Sequence, residues 1–169
     1  MDVKIGKITY GHDASEAKIA KESGSYAGTK IPFGFSVLGI ISHSDQGYKR
    51  LTKAFGRSLD QTSLHQVLDN FLNVNHKHAK QLANCFLLKL KEVHDFFSVQ
   101  RSYHVFASSI LFAYDYEDLD SVDWKITNPV RIRLIDFAHI FPGDGNVDEN
   151  YLFGLTNLMN VFETFINSN

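Results

Sequence analysis

The chain has 169 residues, 44% of them apolar, enough for one domain with a buried core and too ordered a composition for disorder over most of its length. Its 17 basic and 19 acidic residues leave a net charge of −2, so no molecule-wide positive field draws in nucleic acid or an anionic membrane. A single cysteine (no internal disulfide), an N-terminus without a signal or transit pattern, and no run near the roughly 18 apolar residues of a spanning helix together predict a soluble intracellular protein.

In chain order, residues 2–10 alternate through Val3, Ile5, Ile8 and Tyr10 and break at Gly6, which predicts a strand bent at the glycine. Residues 13–23 predict a short helix with Asp13 as candidate N-cap and Glu16 three residues on. A loop is expected over 24–32, a strand over 33–41, and a polar connection over 42–58. Two amphipathic helices follow. One spans 61–73 and buries Leu64, Val67, Leu68, Phe71 and Leu72; the other spans 77–99 and buries Leu82, Phe86, Leu90, Val93 and Phe97. Cys85 lies within the second and reads as core filler. Residues 103–115 and 130–141 read as strands around an acidic connection over 116–129. A closing helix from about 149 carries Leu152, Leu155, Leu158, Met159, Phe162 and Phe165 on one side.

Three groups of residues bear on chemistry. Asp136 and His139 lie in LIDFAHIF, whose apolar flanks place them at the end of a buried strand. A buried carboxylate needs compensation, and Mg²⁺ supplies it in phosphoryl-transfer sites. Capping of the next segment, or a pair with Arg133, would serve equally, and the motif alone leaves both readings open. Asp2 and Lys4 stand two apart on a strand and so share a face; they suit a nucleotide sugar and a transferring phosphate, or form an exposed ion pair of little energy. Lys18 and Lys21, with Lys7 and His12 nearby, form either a phosphate cluster or a solvated helix face.

Other candidates carry less. His76 and His78 are spaced for different helix faces, Ser108 and Ser109 have no His and Asp arranged to activate them, and residues 143–146 (GDGN) read as a turn without a phosphate-loop lysine.

The order of the motifs is more specific than any one of them. DVKIG at 2–6, ASEAKIAK at 14–21, FGRSL at 55–59, ASSILFAYD at 107–115, IDFAH at 135–139 and DENYLFGLTNLM at 148–159 together resemble the inositol polyphosphate kinase family, and within it the multikinases. The resemblance implies an α+β fold equivalent to the larger, C-terminal lobe of that kinase fold, with a small antiparallel sheet backed by helices as one domain over 1–169. It implies ATP- and Mg²⁺-dependent phosphorylation of soluble inositol polyphosphates. Asp2 would hold the ATP ribose, Ser109 would lie near nucleotide and metal, and Asp136 would ligate Mg²⁺. Lys4 would be the main catalytic cation; Lys18, Lys21 and His139 would face the inositol phosphate.

The family's first motif opens with a proline four residues before its aspartate, whereas Met1 alone precedes Asp2 here, so the β-rich ATP lobe is expected to be missing. Ser25 and Ile41 stand where multikinases tend to carry basic residues. The alternative to a kinase is a catalytically impaired module that binds inositol phosphates or a protein. A monomer in the nucleus or cytoplasm is the family-level expectation.

Overall fold

The computed structural model describes residues 1–44, 47–120 and 130–168. In chain order its elements are β1 (Asp2–Ile5), α1 (Glu16–Gly24), α2 (Ala27–Phe33), β2 (Phe35–Ser44), β3 (Gly47–Leu51), α3 (Lys53–Ser58), α4 (Gln66–Phe71) and α5 (Ala79–Val99). They continue with β4 (Tyr103–Phe106), β5 (Ser109–Tyr114), a 3-10 turn at Glu117–Asp120, β6 (Val130–Ile135), β7 (His139–Pro142) and α6 (Glu149–Asn167). The acidic connection read after β5 lies outside the described residues from 121 to 129.

Five strands form an antiparallel sheet in the order β3-β2-β1-β5-β6, and β4 pairs with β7 as a separate ribbon. β1 lies at the centre of the sheet, and its period of two sorts its side chains. Val3 and Ile5 are fully buried and pair across the strands with Val37, Ile110 and Phe35. Asp2 and Lys4 therefore project from the opposite face. α5 and α6 cover the apolar face with Leu82, Phe86, Leu90, Leu155 and Phe162, all essentially inaccessible. Phe112 of β5 stacks on Phe162 at 5.8 Å and meets the Phe86 ring at 5.6 Å. Each such side chain contributes about 1.5–3 kcal/mol on burial, so this layer supplies most of the drive that holds the helices to the sheet.

Two segments expected as single strands each break into two. The chain turns at Ala107, φ 59°, between β4 and β5, and at Asp136, φ 64°, after β6. The last sheet pair is Ser109 with Ile135 and the first ribbon pair is Phe106 with His139. Both chains thus leave the sheet side by side and re-pair in the ribbon.

Other boundaries moved for local reasons. α1 is capped by Ser15, whose hydroxyl accepts from the Lys18 N–H at 3.3 Å, and not by Asp13. The expected first strand stops at Ile5, because Gly6 takes φ 107°. Residues 24–32 hold all but the last residue of α2, which is entered through a left-handed Tyr26 and is too short to show periodicity. Residues 42–58 contain β3 and α3; β3 is an edge strand exposed at its first four residues, so it lacks apolar alternation. The first long helix shrinks to α4, preceded by a turn in which the Asp60 carboxylate accepts from the N–H groups of Thr62 and Ser63 at 2.9 Å.

Candidate active site

The open face of the sheet carries a row of polar side chains set by strand register. Lys4 pairs with Ser36 on β2 and with Ser109 on β5, and Ser109 pairs in turn with Ile135, the residue before Asp136. Paired residues share a face, so Ser36, Lys4, Ser109 and Ile135 stand in line, and Asp136 follows in the turn just beyond β6. Asp2 lies on the same face two residues from Lys4.

These groups lack internal partners. The buried Oδ1 of Asp2, Oγ of Ser36 and Oγ of Ser109 accept or donate no hydrogen bond. Among the described residues neither the Lys4 ammonium nor the Asp136 carboxylate enters a hydrogen bond or ion pair, so the Asp2–Lys4 ion pair does not form. Arg133 forms no ion pair with Asp136 among the described residues; its guanidinium donates to the Ile132 carbonyl at 2.7 Å. Asp136 itself is exposed, contrary to the buried position expected of it. The left-handed turn throws it outward together with Phe137, 47% exposed, so apolar neighbours in sequence do not enclose it.

Asp2 also lines a cavity of about 700 Å³ with Leu38, Arg50, Lys53, Arg57 and Leu111. That volume suits a small-molecule ligand. Arg50 and Lys53 were missed because 42–58 read as a connection, and Arg57 was noted only within the FGRSL motif. Arg50 is the cross-strand partner of Ile41, so a cation stands beside the position where the sequence appeared to have lost one. The Arg57 guanidinium lies over the Tyr26 ring, 5.5 Å from its centroid. Burial raises the Tyr26 hydroxyl above its ordinary pKa, and Arg57 partly offsets that.

At the other end of the row, α1 meets the ribbon. Lys18 Nζ lies 3.0 Å from His139 Nε2, joining two residues 121 apart in sequence. An ammonium can only donate, so Nε2 accepts and the ring proton sits on Nδ1. Lys21 is exposed one turn along α1. Lys7 and His12 do not join this group: Lys7 is exposed, and the His12 ring packs against Phe141 at 4.3 Å. Ser108 is structural, its hydroxyl donating to the Tyr151 hydroxyl at 3.3 Å inside the core. His78 bonds Gln81, and the 143–146 segment is a turn in which the Asn146 N–H donates to Asp144.

No group of three or more metal-ligating side chains occurs among the described residues. One free carboxylate still fits Mg²⁺, which takes one or two protein carboxylates and completes its shell with substrate phosphates and water. No helix among the described residues is long and apolar enough to cross a membrane.

The fold is an antiparallel sheet backed by two long helices, with cations at both ends of its polar face. The chain belongs to the inositol polyphosphate kinase family, whose model matches residues 1–163. It is 32% identical over 169 residues to an inositol polyphosphate multikinase of Schizosaccharomyces pombe, covering 96% of this chain and 61% of that protein. A solved inositol phosphate multikinase superposes with a TM-score of 0.77 at 27% identity, covering 96% of this chain and 77% of the other. The multikinase of S. cerevisiae in complex with ADP and Mn²⁺ shares the fold with a TM-score of 0.82 at 23% identity, over 98% of this chain and 77% of that one. The chain spans about six-tenths of the length of the curated multikinases it matches.

Proposed function

We propose that this chain carries the phosphoryl-transfer and substrate face of an ATP- and Mg²⁺-dependent kinase acting on soluble inositol polyphosphates. One observation supports this above the others: Asp2, Lys4 and Ser109 lie in register on one sheet face, and Asp136 stands in the turn one residue beyond Ile135, the cross-strand partner of Ser109. Among the described residues the Lys4 ammonium and the exposed Asp136 carboxylate have no ion-pair partner, and a phosphate and a divalent cation would engage them.

Phosphoryl transfer depends on positioning and charge neutralisation more than on covalent chemistry. Lys4, centred in the row, binds the transferring phosphate with an ammonium that has no competing partner. Asp2 accepts from the ribose hydroxyls at the mouth of the 700 Å³ cavity, and Ser109 donates to the nucleotide phosphates. Lys18 and His139 hold the inositol phosphate from the ribbon side, with Lys21 supplying charge one turn away. Asp136 would hold Mg²⁺, which when bound neutralises phosphate charge.

Calorimetric titration of the chain with inositol 1,4,5-trisphosphate, and separately with Mg-ATP, tests this reading. Binding of both ligands, with Lys18→Ala weakening the trisphosphate at least about tenfold and leaving Mg-ATP unchanged, is expected. Trisphosphate binding with no response to Mg-ATP would make the chain a binding module, and no binding of either would reject the site.

A further inference from the structure

α1 carries the cation that faces the inositol phosphate, yet it buries none of its own residues. Most helices are held to a protein by an apolar stripe, so something else must fix this one. Its fixed point is Glu22, in the last turn. The Glu22 carboxylate accepts from the Thr9 hydroxyl at 2.8 Å, and its backbone carbonyl accepts from the Lys30 ammonium. Thr9 and Lys30 are 1% and 3% exposed, so both donors come from the interior.

Resting on the kinase reading above, we propose that Lys30 and Thr9 are positioning residues. They clamp Glu22, seat α1 on the sheet, and so set the reach of Lys18 to the substrate. The Glu22 carbonyl already accepts from the Ser25 N–H at the helix C-cap, and the Lys30 ammonium is a second donor that complements the helix dipole there. Lys30 is a buried cation, and a buried cation needs compensation. Burial lowers its pKa from the ordinary lysine range, Glu22 opposes that shift, and Lys4 reinforces it. Neither clamp residue stands out in the sequence, because Lys30 sits among Gly, Thr and Pro in a segment that reads as a loop.

The test uses Lys30→Met and Thr9→Val, each alone and combined with Lys18→Ala. Thr9→Val removes one hydroxyl, changes no charge, and nearly preserves volume, so its effect cannot come from the electrostatic field. Affinity for inositol 1,4,5-trisphosphate should fall about tenfold in Lys30→Met and about threefold to tenfold in Thr9→Val. Either change should cost less than about twofold when Lys18 is already alanine, because the clamp acts through that residue. Amide hydrogen exchange in α1 should quicken about tenfold while α5 and α6 keep their protection. Equal losses in both backgrounds, or unchanged exchange in α1, would overturn the clamp. Faster exchange in α1 with no trisphosphate binding by the unaltered chain would uphold the clamp and reject the function it was assigned.

Discussion

Asp148→Ala should loosen the joint that carries the ribbon. Asp148 is 3% exposed and accepts twice: from the Tyr151 N–H at 2.9 Å, as the N-cap of α6, and from the Val105 N–H on β4 at 2.7 Å. Alanine removes both acceptors and leaves two buried donors. Loss of the cap costs about 1 kcal/mol. The orphaned Val105 N–H costs about 1–3 kcal/mol more, because no water reaches it. A total of about 2–4 kcal/mol corresponds to a Tm lower by roughly 5–15 °C for a chain of this size. Asp148→Asn keeps one acceptor oxygen and should lose about half as much. Urea unfolding followed by circular dichroism gives the value, with an unchanged m confirming that stability alone has moved. Because β4 pairs with β7, which begins at His139, the same variant should also weaken trisphosphate binding. A loss below about 0.5 kcal/mol would show that Asp148 does not join the ribbon to α6 as described.

Three shorter predictions follow from local geometry. Asp136→Asn should leave stability within about 0.5 kcal/mol, since the side chain is exposed and unpartnered, while abolishing transfer; a thermal melt and a turnover assay separate the two. Ala107→Gly should be neutral or stabilise by up to about 1 kcal/mol, because φ 59° strains any residue with a Cβ; destabilisation beyond that in a urea melt would contradict the break between β4 and β5. Hydrogen bonds from Ser63 first, then Thr62, depress the Asp60 carboxyl pKa from 3.8 to about 2. With the folded value depressed, its contribution to stability is complete above the unfolded value and is lost as pH falls through about 2. Carboxyl NMR titration should find that low value and see it rise in Ser63→Ala; an ordinary value would refute the turn.

What the sequence showed and what it hid have physical causes. The apolar faces of α5 and α6 repeat over several turns, so Leu82, Phe86 and Leu90, and Leu155, Leu158 and Phe162, were legible as core. The DVKIG and ASSILFAYD motifs fall on β1 and β5, and IDFAH spans the turn from β6 to β7. The breaks at Ala107 and Asp136 were not legible, since neither residue is the glycine that usually marks a left-handed turn. The apolar neighbours of Asp136 suggested burial, yet burial depends on where the strand ends. Arg50 and Lys53 stayed hidden because a solvated edge strand and a short helix carry no periodic signal, and Arg57 entered only within the FGRSL motif. Lys30 was invisible for a different reason, as its role exists only when α2 folds back beneath α1.

The central claim is that this sheet face moves phosphate, and transfer of labelled phosphate from ATP to inositol 1,4,5-trisphosphate in the presence of Mg²⁺ tests it most directly. The account predicts a phosphorylated inositol product from the unaltered chain and none from Lys4→Met or Asp136→Asn, both still folded. Equal product from those variants, or none from a chain that binds both ligands, would contradict it.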